Sequence, residues 1–352
     1  MEIGIDRTHG GAAAPGVLDF SASLNPLGPT AVALAAYHAA AASIARYPDP
    51  YAHDLTAQLA RRHGVAQDQV VAGNGSTQLI HLLARTLRPR RPFVAIPTFS
   101  EIANALVIAS APPRPIVARR EREFALDKDQ VLRAIDEGAD AIFIGRPNSP
   151  TGAMLPVADA AEIAAACSSR RCWCVFDEAF MDFAGEEHSA IPLIAENSHL
   201  MVLRSLTKIF AIAGLRLGYL VAGSESAHRL REAQEPWSVN IVAERVALAC
   251  LETEAEFVAQ SRRLIESERA YMTDALASVE GLRVFSSCAN FLMLEVSELQ
   301  RPVTFAEHML GQGIAVRDLR ELPGCAPAMY RVAIRDHEAN KRLIAAVRVY
   351  FD

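Results

Sequence analysis

The sequence predicts an α/β fold built around a mostly parallel sheet, and two observations carry the prediction. Short, continuously apolar runs recur at 93–96 (FVAI), 141–145 (AIFIG), 173–177 (WCVFD), 200–205 (LMVLRS) and 218–223 (GYLVAG). Amphipathic helical stretches separate most of them, for example around 128–137 and 157–167. Unbroken apolar strands alternating with helices indicate a sheet buried on both faces. Composition agrees: 352 residues, 51% hydrophobic and 22% charged, can bury a core and match neither a disordered nor a collagen-like chain. The length suits one large domain with a smaller one attached.

Taken in order, the first fifty residues are irregular, with Gly10-Gly11, Pro15, Asn25-Pro26, Gly28-Pro29, Pro48 and Pro50 around a short Ala-rich helix near 30–45. They read as an arm that also completes part of the small domain. From Asp54 a capped helix runs to Gly64, where glycine ends it. Residues 73–76 form a turn, and a helix continues from 77 to 87. The strands and helices named above follow. A single long helix is expected from about 241 to 278, then a strand at 290–296, a helix near 303–312, a short strand at 330–334 and a terminal helix from about 337. The division expected is an arm at 1–50, a large domain at 51–265 and a small α+β domain at 266–352.

Several functions are disfavoured at once. Net charge is −6, from 35 basic and 41 acidic residues, so the clustered cations of a nucleic-acid binder are not expected. Six cysteines show neither disulfide nor zinc spacing and read as buried thiols, with no metal site. No stretch approaches the roughly 20 apolar residues of a membrane span, and the N-terminus lacks a signal-peptide pattern, so a cytoplasmic protein is expected.

In open α/β sheets ligands sit at the carboxyl ends of strands. Asp177 ends one apolar run, Asn148 follows another in RPNSPTG, and Ser205 and Lys208 follow a third. Gly73-Asn74-Gly75-Ser76 opens a helix, and Phe99 follows FVAI. Singly, each has an ordinary reading as a turn, a cap or a solvated charge. Together they offer a carboxylate, an amide, a lysine, a phosphate-sized turn and an aromatic plane. Pyridoxal phosphate needs that set: a lysine for its aldehyde, an acid for its ring nitrogen, a donor for its phenolic oxygen, and a helix N-terminus for its phosphate. Lysine is otherwise scarce, at 128, 208 and 341 alone.

The segment SLTKIFAIAGLRLGY (205–219) resembles the lysine segment of fold-type-I pyridoxal-phosphate enzymes. RPNSPTG, FDEAF (176–180), GNGS (73–76), RYPDP (46–50) and CANFL (288–292) are similar to that family's motifs in the same order. The resemblance implies a large domain with a mostly parallel seven-stranded sheet, a small α+β C-terminal domain and an N-terminal arm. It implies that Lys208 joins the cofactor and then moves protons, that Asp177 holds the ring nitrogen, that Asn148 donates to the phenolic oxygen and that Phe99 stacks on the ring. Gly75, Ser76, Thr77, Ser205 and Arg216 would hold the phosphate. Tyr47 would reach the phosphate of a neighbouring subunit, which implies a homodimer.

For the substrate, a small phosphorylated amino acid, the resemblance points to Arg331, with Arg335, Asn148, Asn25 and His9 beside it. Arg331 and Arg335 are four apart in YRVAIR, so on one strand they would share a face. Two branches of the family compete. One decarboxylates threonine phosphate to an aminopropanol phosphate for cobalamin biosynthesis, and the other transfers the amino group of histidinol phosphate to 2-oxoglutarate. HGG followed by LDFSASLNPLGP, SLTK, PWSVN (236–240), and Phe180 where aminotransferases usually carry Tyr are similar to the decarboxylating branch.

Overall fold

A computed structural model shows how these segments assemble; the structure describes residues 3–11, 13–298 and 302–352. The arm contributes a two-residue strand, β1 (Leu18–Asp19), and two helices, α1 (Ala31–Ala40) and α2 (His53–His63), the latter closed by Gly64 at φ 64°. A seven-stranded sheet follows from β2 (Val70–Asn74), β3 (Pro92–Ile96), β4 (Arg114–Val117), β5 (Ala141–Gly145), β6 (Trp173–Asp177), β7 (Leu200–Ser205) and β8 (Leu217–Ala222). Their order is β2-β8-β7-β6-β5-β3-β4, and only β8 runs against its neighbours.

The five apolar runs form strands at almost the expected boundaries, because each is long enough to be read without tertiary context. Strands β2 and β4 had no such signal. The first ends in Gly73-Asn74, and the second, RPIV, is a half-exposed edge strand carrying a proline, which edges tolerate. Alternate residues enter different cores: Ile144, Phe176 and Val202 pack into one, Phe143, Val175 and Leu203 into the other. Both faces are therefore covered, as the unbroken apolar runs require.

Helix α3 (Gly75–Leu87) follows β2, and α4 (Ser100–Ile108) follows β3. The next elements are α5 (Lys128–Asp136), α6 (Val157–Ser169), α7 (Met181–Ala184), α8 (Leu206–Ile209) and α9 (Ser224–Ala233). The long helix expected at 241–278 is two, α10 (Ile241–Glu252) and α11 (Glu254–Ala277), broken at Thr253, whose backbone leaves the helical region at φ −120° and ψ 14°. The second sheet has order β12-β13-β10-β9, from β9 (Leu282–Val284), β10 (Phe291–Val296), β12 (Arg317–Asp318) and β13 (Met329–Ala333). Helices α12 (Phe305–Gly311) and α13 (His337–Phe351) pack with it. Strand β1 pairs in parallel with β11 (Ile314–Ala315) as a separate two-stranded sheet, which ties the arm to the C-terminal part of the chain. Among the described residues no helix is long and apolar enough to cross a membrane.

Candidate active site

The carboxyl ends of β5, β6 and β7 meet the starts of α3 and α4 around a cavity of about 440 Å³. Lys208, in the one-turn α8 directly after β7, lines it together with Asp177, the last residue of β6. Burial pushes the Asp177 carboxyl up to about 6, against the Ala179 N–H that it accepts at 3.1 Å and the nearby Lys208 cation. The Lys208 ammonium falls to about 8, chiefly by burial and then by the charges of Arg331 and Arg216. A lysine so placed gives up its proton far more readily than a solvated one, which brings the neutral amine that can act as nucleophile or base within reach.

Behind these groups lies a fully buried ion cluster. Glu178 pairs with Arg146 at 2.5 Å and Arg204 at 3.5 Å, and also accepts from Ser189 Oγ at 2.7 Å. These charged residues are the chain neighbours of Gly145, Asp177 and Ser205 at the ends of the adjacent strands β5, β6 and β7. Burial pushes the Glu178 carboxyl up, opposed by both arginines.

Ser76 and Thr77, at the N-terminus of α3, face the same cavity with Ser205, Thr207 and Arg216. Two glycines keep this corner open. A Cβ on Gly75 (φ 75°) would stand 2.5 Å from Arg216 Nη2, and one on Gly218 only 2.4 Å from Ser76 N. Helix N–H groups, hydroxyls and a guanidinium therefore converge where side-chain atoms are excluded, as an anion site requires. Phe99, just before α4, supplies a ring to the opposite wall.

The donor set fits pyridoxal phosphate: a lysine of depressed basicity, a buried carboxylate near it, an aromatic wall and a cradle for a dianion. Lys208, Asp177, Phe99, Gly75, Ser76, Thr77, Ser205 and Arg216 would hold it. Asn148 does not join them. Its two amide hydrogens are donated to the Pro97 carbonyl (2.8 Å) and Thr151 Oγ1 (2.9 Å), leaving only the acceptor Oδ1. Asn148 is the turn residue of its loop, accepting the Gly152 N–H at 2.7 Å, and its neighbour Ser149 faces the cavity instead. An asparagine bonding three residues ahead is a turn signal, which could have separated the two. Phe180 lines the cavity without a hydroxyl, its ring centroid 5.9 Å from Lys208 Nζ.

The substrate side departs further from the sequence reading. Arg331 lies in the cavity as expected, donating through Nη1 to Ser149 Oγ (2.9 Å) and through Nη2 to the Ser21 carbonyl (2.8 Å). Burial, and then Arg317, brings its guanidinium down to about 10. Arg335 is absent from the cavity. Strand β13 ends at Ala333, so same-face alternation does not extend to Arg335, which donates to the Asp19 carbonyl (2.8 Å) and lies over Phe20. Asn25 is also a brace, donating to the Ile209 carbonyl and Ser261 Oγ, both at 2.7 Å, and so pinning α8 to α11.

Arg317 takes the place expected of Arg335. It stands directly opposite Arg331 in the antiparallel β12–β13 pair, which puts both side chains on one face. That register is invisible in a linear reading, and Arg317 was missed with Arg7. His9 does line the cavity, 3.2 Å from Glu101. In all, Arg7, Lys208, Arg216, Arg317 and Arg331 face the space against two carboxylates, Glu101 and Asp177. Tyr47 lies outside it, 82% exposed and tilted against Trp237.

This arrangement of lysine, buried aspartate and glycine-walled anion cradle has known counterparts. Residues 15–347 match the family described as aminotransferase class I and II. The chain belongs to the class I and II aminotransferase family. Among relatives within it, the threonine-phosphate decarboxylase of Salmonella typhimurium is 38% identical over 94% of this chain and 90% of that protein. The solved L-threonine-O-3-phosphate decarboxylase of Porphyromonas gingivalis superposes with a TM-score of 0.83 at 23% identity, covering 95% of this chain and 99% of the other. A histidinol-phosphate aminotransferase from Sinorhizobium meliloti, solved in complex with pyridoxal-5'-phosphate, gives 0.82 at 21% identity, covering 94% of this chain and 89% of that one. These two likenesses bear on the fold of the class I and II aminotransferases.

Proposed function

We propose that the protein is a pyridoxal-phosphate-dependent decarboxylase that converts L-threonine O-3-phosphate to (R)-1-aminopropan-2-yl phosphate, a step of cobalamin biosynthesis. The observation that carries the reading is the pairing of Arg331 and Arg317 on one face of the small sheet, both pointing into the cavity that holds Lys208. A substrate with two separate anions needs two such groups, and L-threonine O-3-phosphate carries both a carboxylate and a phosphate. The 38% identical decarboxylase supports the same reading.

Pyridoxal phosphate, when bound, supplies an aldehyde for the substrate amine and a ring that draws electrons from the bond broken at Cα. The chain's residues do the rest. Asp177, a buried carboxylate lining the same cavity, would keep a proton on the cofactor's ring nitrogen. Lys208 holds the cofactor until substrate arrives, and its amine then returns a proton to Cα. Arg331 receives the substrate carboxylate bidentately, its plane set by Ser149 and the Ser21 carbonyl. That fixed plane sets where the substrate carboxylate is held. Arg317, with Arg7 and His9, receives the substrate phosphate. Phe180 excludes water and leaves Ser149 as the hydroxyl on that wall.

We further propose a homodimer in which Tyr47 reaches the cofactor phosphate of the neighbouring subunit. Tyr47, Ile44, Tyr37, Leu34 and Trp237 are all exposed, and Tyr47 lies against Trp237, large apolar side chains of the kind a partner covers. The domain division proposed is 1–50, 51–265 and 266–352, the last boundary falling inside α11. The experiment is incubation with L-threonine O-3-phosphate without any keto acid. Release of CO₂ with one equivalent of the amine supports decarboxylation; activity strictly dependent on 2-oxoglutarate assigns the chain to amino transfer.

A further inference from the structure

The N-terminal arm crosses the mouth of the cavity as a strap fastened on both sides. On the large-domain side Asp6 N donates to Asn104 Oδ1 (3.0 Å), and Asn104 Nδ2 donates to the Asp6 carbonyl (2.6 Å). On the small-domain side Arg317 donates to the Thr8 carbonyl and stands 4.0 Å from the Asp6 carboxylate. Farther along, Gly11 N donates to Ser21 Oγ at 2.8 Å. Between these fastenings Arg7 and His9 are delivered to the cavity wall.

One buried group meets the arm there and has no part in the steps above. Glu101, on the first turn of α4, is 4% exposed. Its carboxylate accepts from Asn104 Nδ2 at 2.7 Å and lies 3.1 Å from His81 Nε2 and 3.2 Å from His9 Nε2. A buried carboxylate is costly unless donors surround it. Two donors do so by hydrogen bond, Asn104 on its own helix and His81 on α3, and His9 on the arm stands within ion-pair distance.

We propose that Glu101 is a positioning residue for the second anion of the substrate: it latches His9, and with it the arm, across the cavity so that Arg7 and His9 meet the phosphate. The inference rests on the reading of the substrate as a phosphorylated amino acid. Held at Nε2 by a carboxylate that is itself fixed from two other directions, the His9 ring keeps one orientation on an otherwise exposed segment. Phe99, 6.1 Å away between ring centroids, backs that ring. The latch therefore spans the walls that bear on the cofactor and on the second anion.

The test uses the holoenzyme with Glu101→Ala, His9→Ala and the double variant, the His9 change lying on the exposed arm where folding does not depend on it. Each single variant is expected to raise KM for O-phospho-L-threonine about tenfold, the low end for a lost charge-assisted contact, with kcat within about twofold. KM for unphosphorylated L-threonine stays within about twofold, and the double variant is no worse than His9→Ala alone. Independently of turnover, trypsin cleavage after Arg7, followed by mass spectrometry, should quicken in Glu101→Ala, and inorganic phosphate should slow it in wild type only. Equal losses on both substrates, additive effects in the double variant, or unchanged cleavage after Arg7 would overturn the assignment. A wild type inactive on O-phospho-L-threonine removes the substrate reading, and the cleavage rates still decide the latch.

Discussion

The two halves of the cavity are built in different ways. The wall that fits the cofactor comes from strand ends and helix starts of one domain, each residue close in sequence to the element that aims it. Lys208 lies three residues beyond β7, Asp177 ends β6, and Ser76 and Thr77 open α3. The wall that faces the substrate is assembled from the arm and the small sheet: Arg7 and His9 from one, Arg317 and Arg331 from the other. The first wall is held by a parallel sheet buried on both faces and by the Arg146–Glu178–Arg204 cluster. The second is held by polar contacts across domains, such as Arg331 to Ser149 and Arg317 to Thr8. Changes in the cofactor wall should therefore abolish chemistry, and changes in the substrate wall should alter preference.

The largest effect is expected at Lys208. Lys208→Ala should lose the visible absorbance of the lysine-held cofactor and lower turnover by at least about 10³-fold, as expected when both attachment and proton transfer are removed. Borohydride-reduced cofactor found on a peptide lacking Lys208 would refute the assignment.

Asp177→Asn should come next, retaining cofactor but losing turnover by about 10²-fold, because an amide cannot keep the ring nitrogen protonated and each lost pK unit is worth about 1.4 kcal/mol. A variant within about threefold of wild type would take Asp177 out of this role.

The same substitution should stabilise the cofactor-free protein. The Asp177 carboxyl is raised from 3.8 to about 6 on folding, so its ionised form is penalised in the native state. That penalty is absent below pH 3.8, grows as pH rises and is complete above about 6, where it amounts to about 3 kcal/mol. Urea unfolding of apoprotein should show Asp177→Asn more stable than wild type at pH 8 and equal to it at pH 4. Equal stability at both pH values would contradict the burial argument.

Arg335 sharpens the contrast from the other side. Because it braces Asp19 rather than facing the cavity, Arg335→Ala should cost about 1–2 kcal/mol of stability and leave substrate preference unchanged. A changed preference for phosphorylated substrate would return Arg335 to the pocket. Smallest of all, Ser149→Ala should raise KM about threefold for phosphorylated and unphosphorylated threonine alike, through loss of one hydrogen bond that orients Arg331.

The unequal legibility of the two walls has a physical origin. Lys208 and Asp177 could be read because each lies at or just past the end of a continuous apolar run, and a buried strand aims whatever lies at its end; the Gly75–Thr77 turn could be read from its own glycines opening a helix. Asn148 was read as a site residue, but a turn, rather than a strand, decides which of two adjacent side chains faces inward; there Ser149 does, and the Asn148 amide is consumed by Pro97 and Thr151. Arg335 was misplaced because same-face alternation holds only while the strand lasts, and β13 stops two residues earlier. Arg317 left no local trace at all, since only its register opposite Arg331 brings it to the site. The break at Thr253 was equally hidden, one residue within an otherwise helical pattern. Contacts set by distant pairing are the part of the site that a linear pattern does not encode.

The decisive quantity is the ratio of kcat/KM for O-phospho-L-threonine to that for L-threonine, measured in wild type, Arg317→Ala and Arg331→Ala. Arg331→Ala should weaken both substrates by about 2 kcal/mol or more and keep the ratio, because both carry the carboxylate. Arg317→Ala should lower the ratio by about tenfold or more, because only one substrate carries the phosphate. An unchanged ratio in Arg317→Ala would contradict the claim that the wall assembled from the arm and the small sheet reads the second anion.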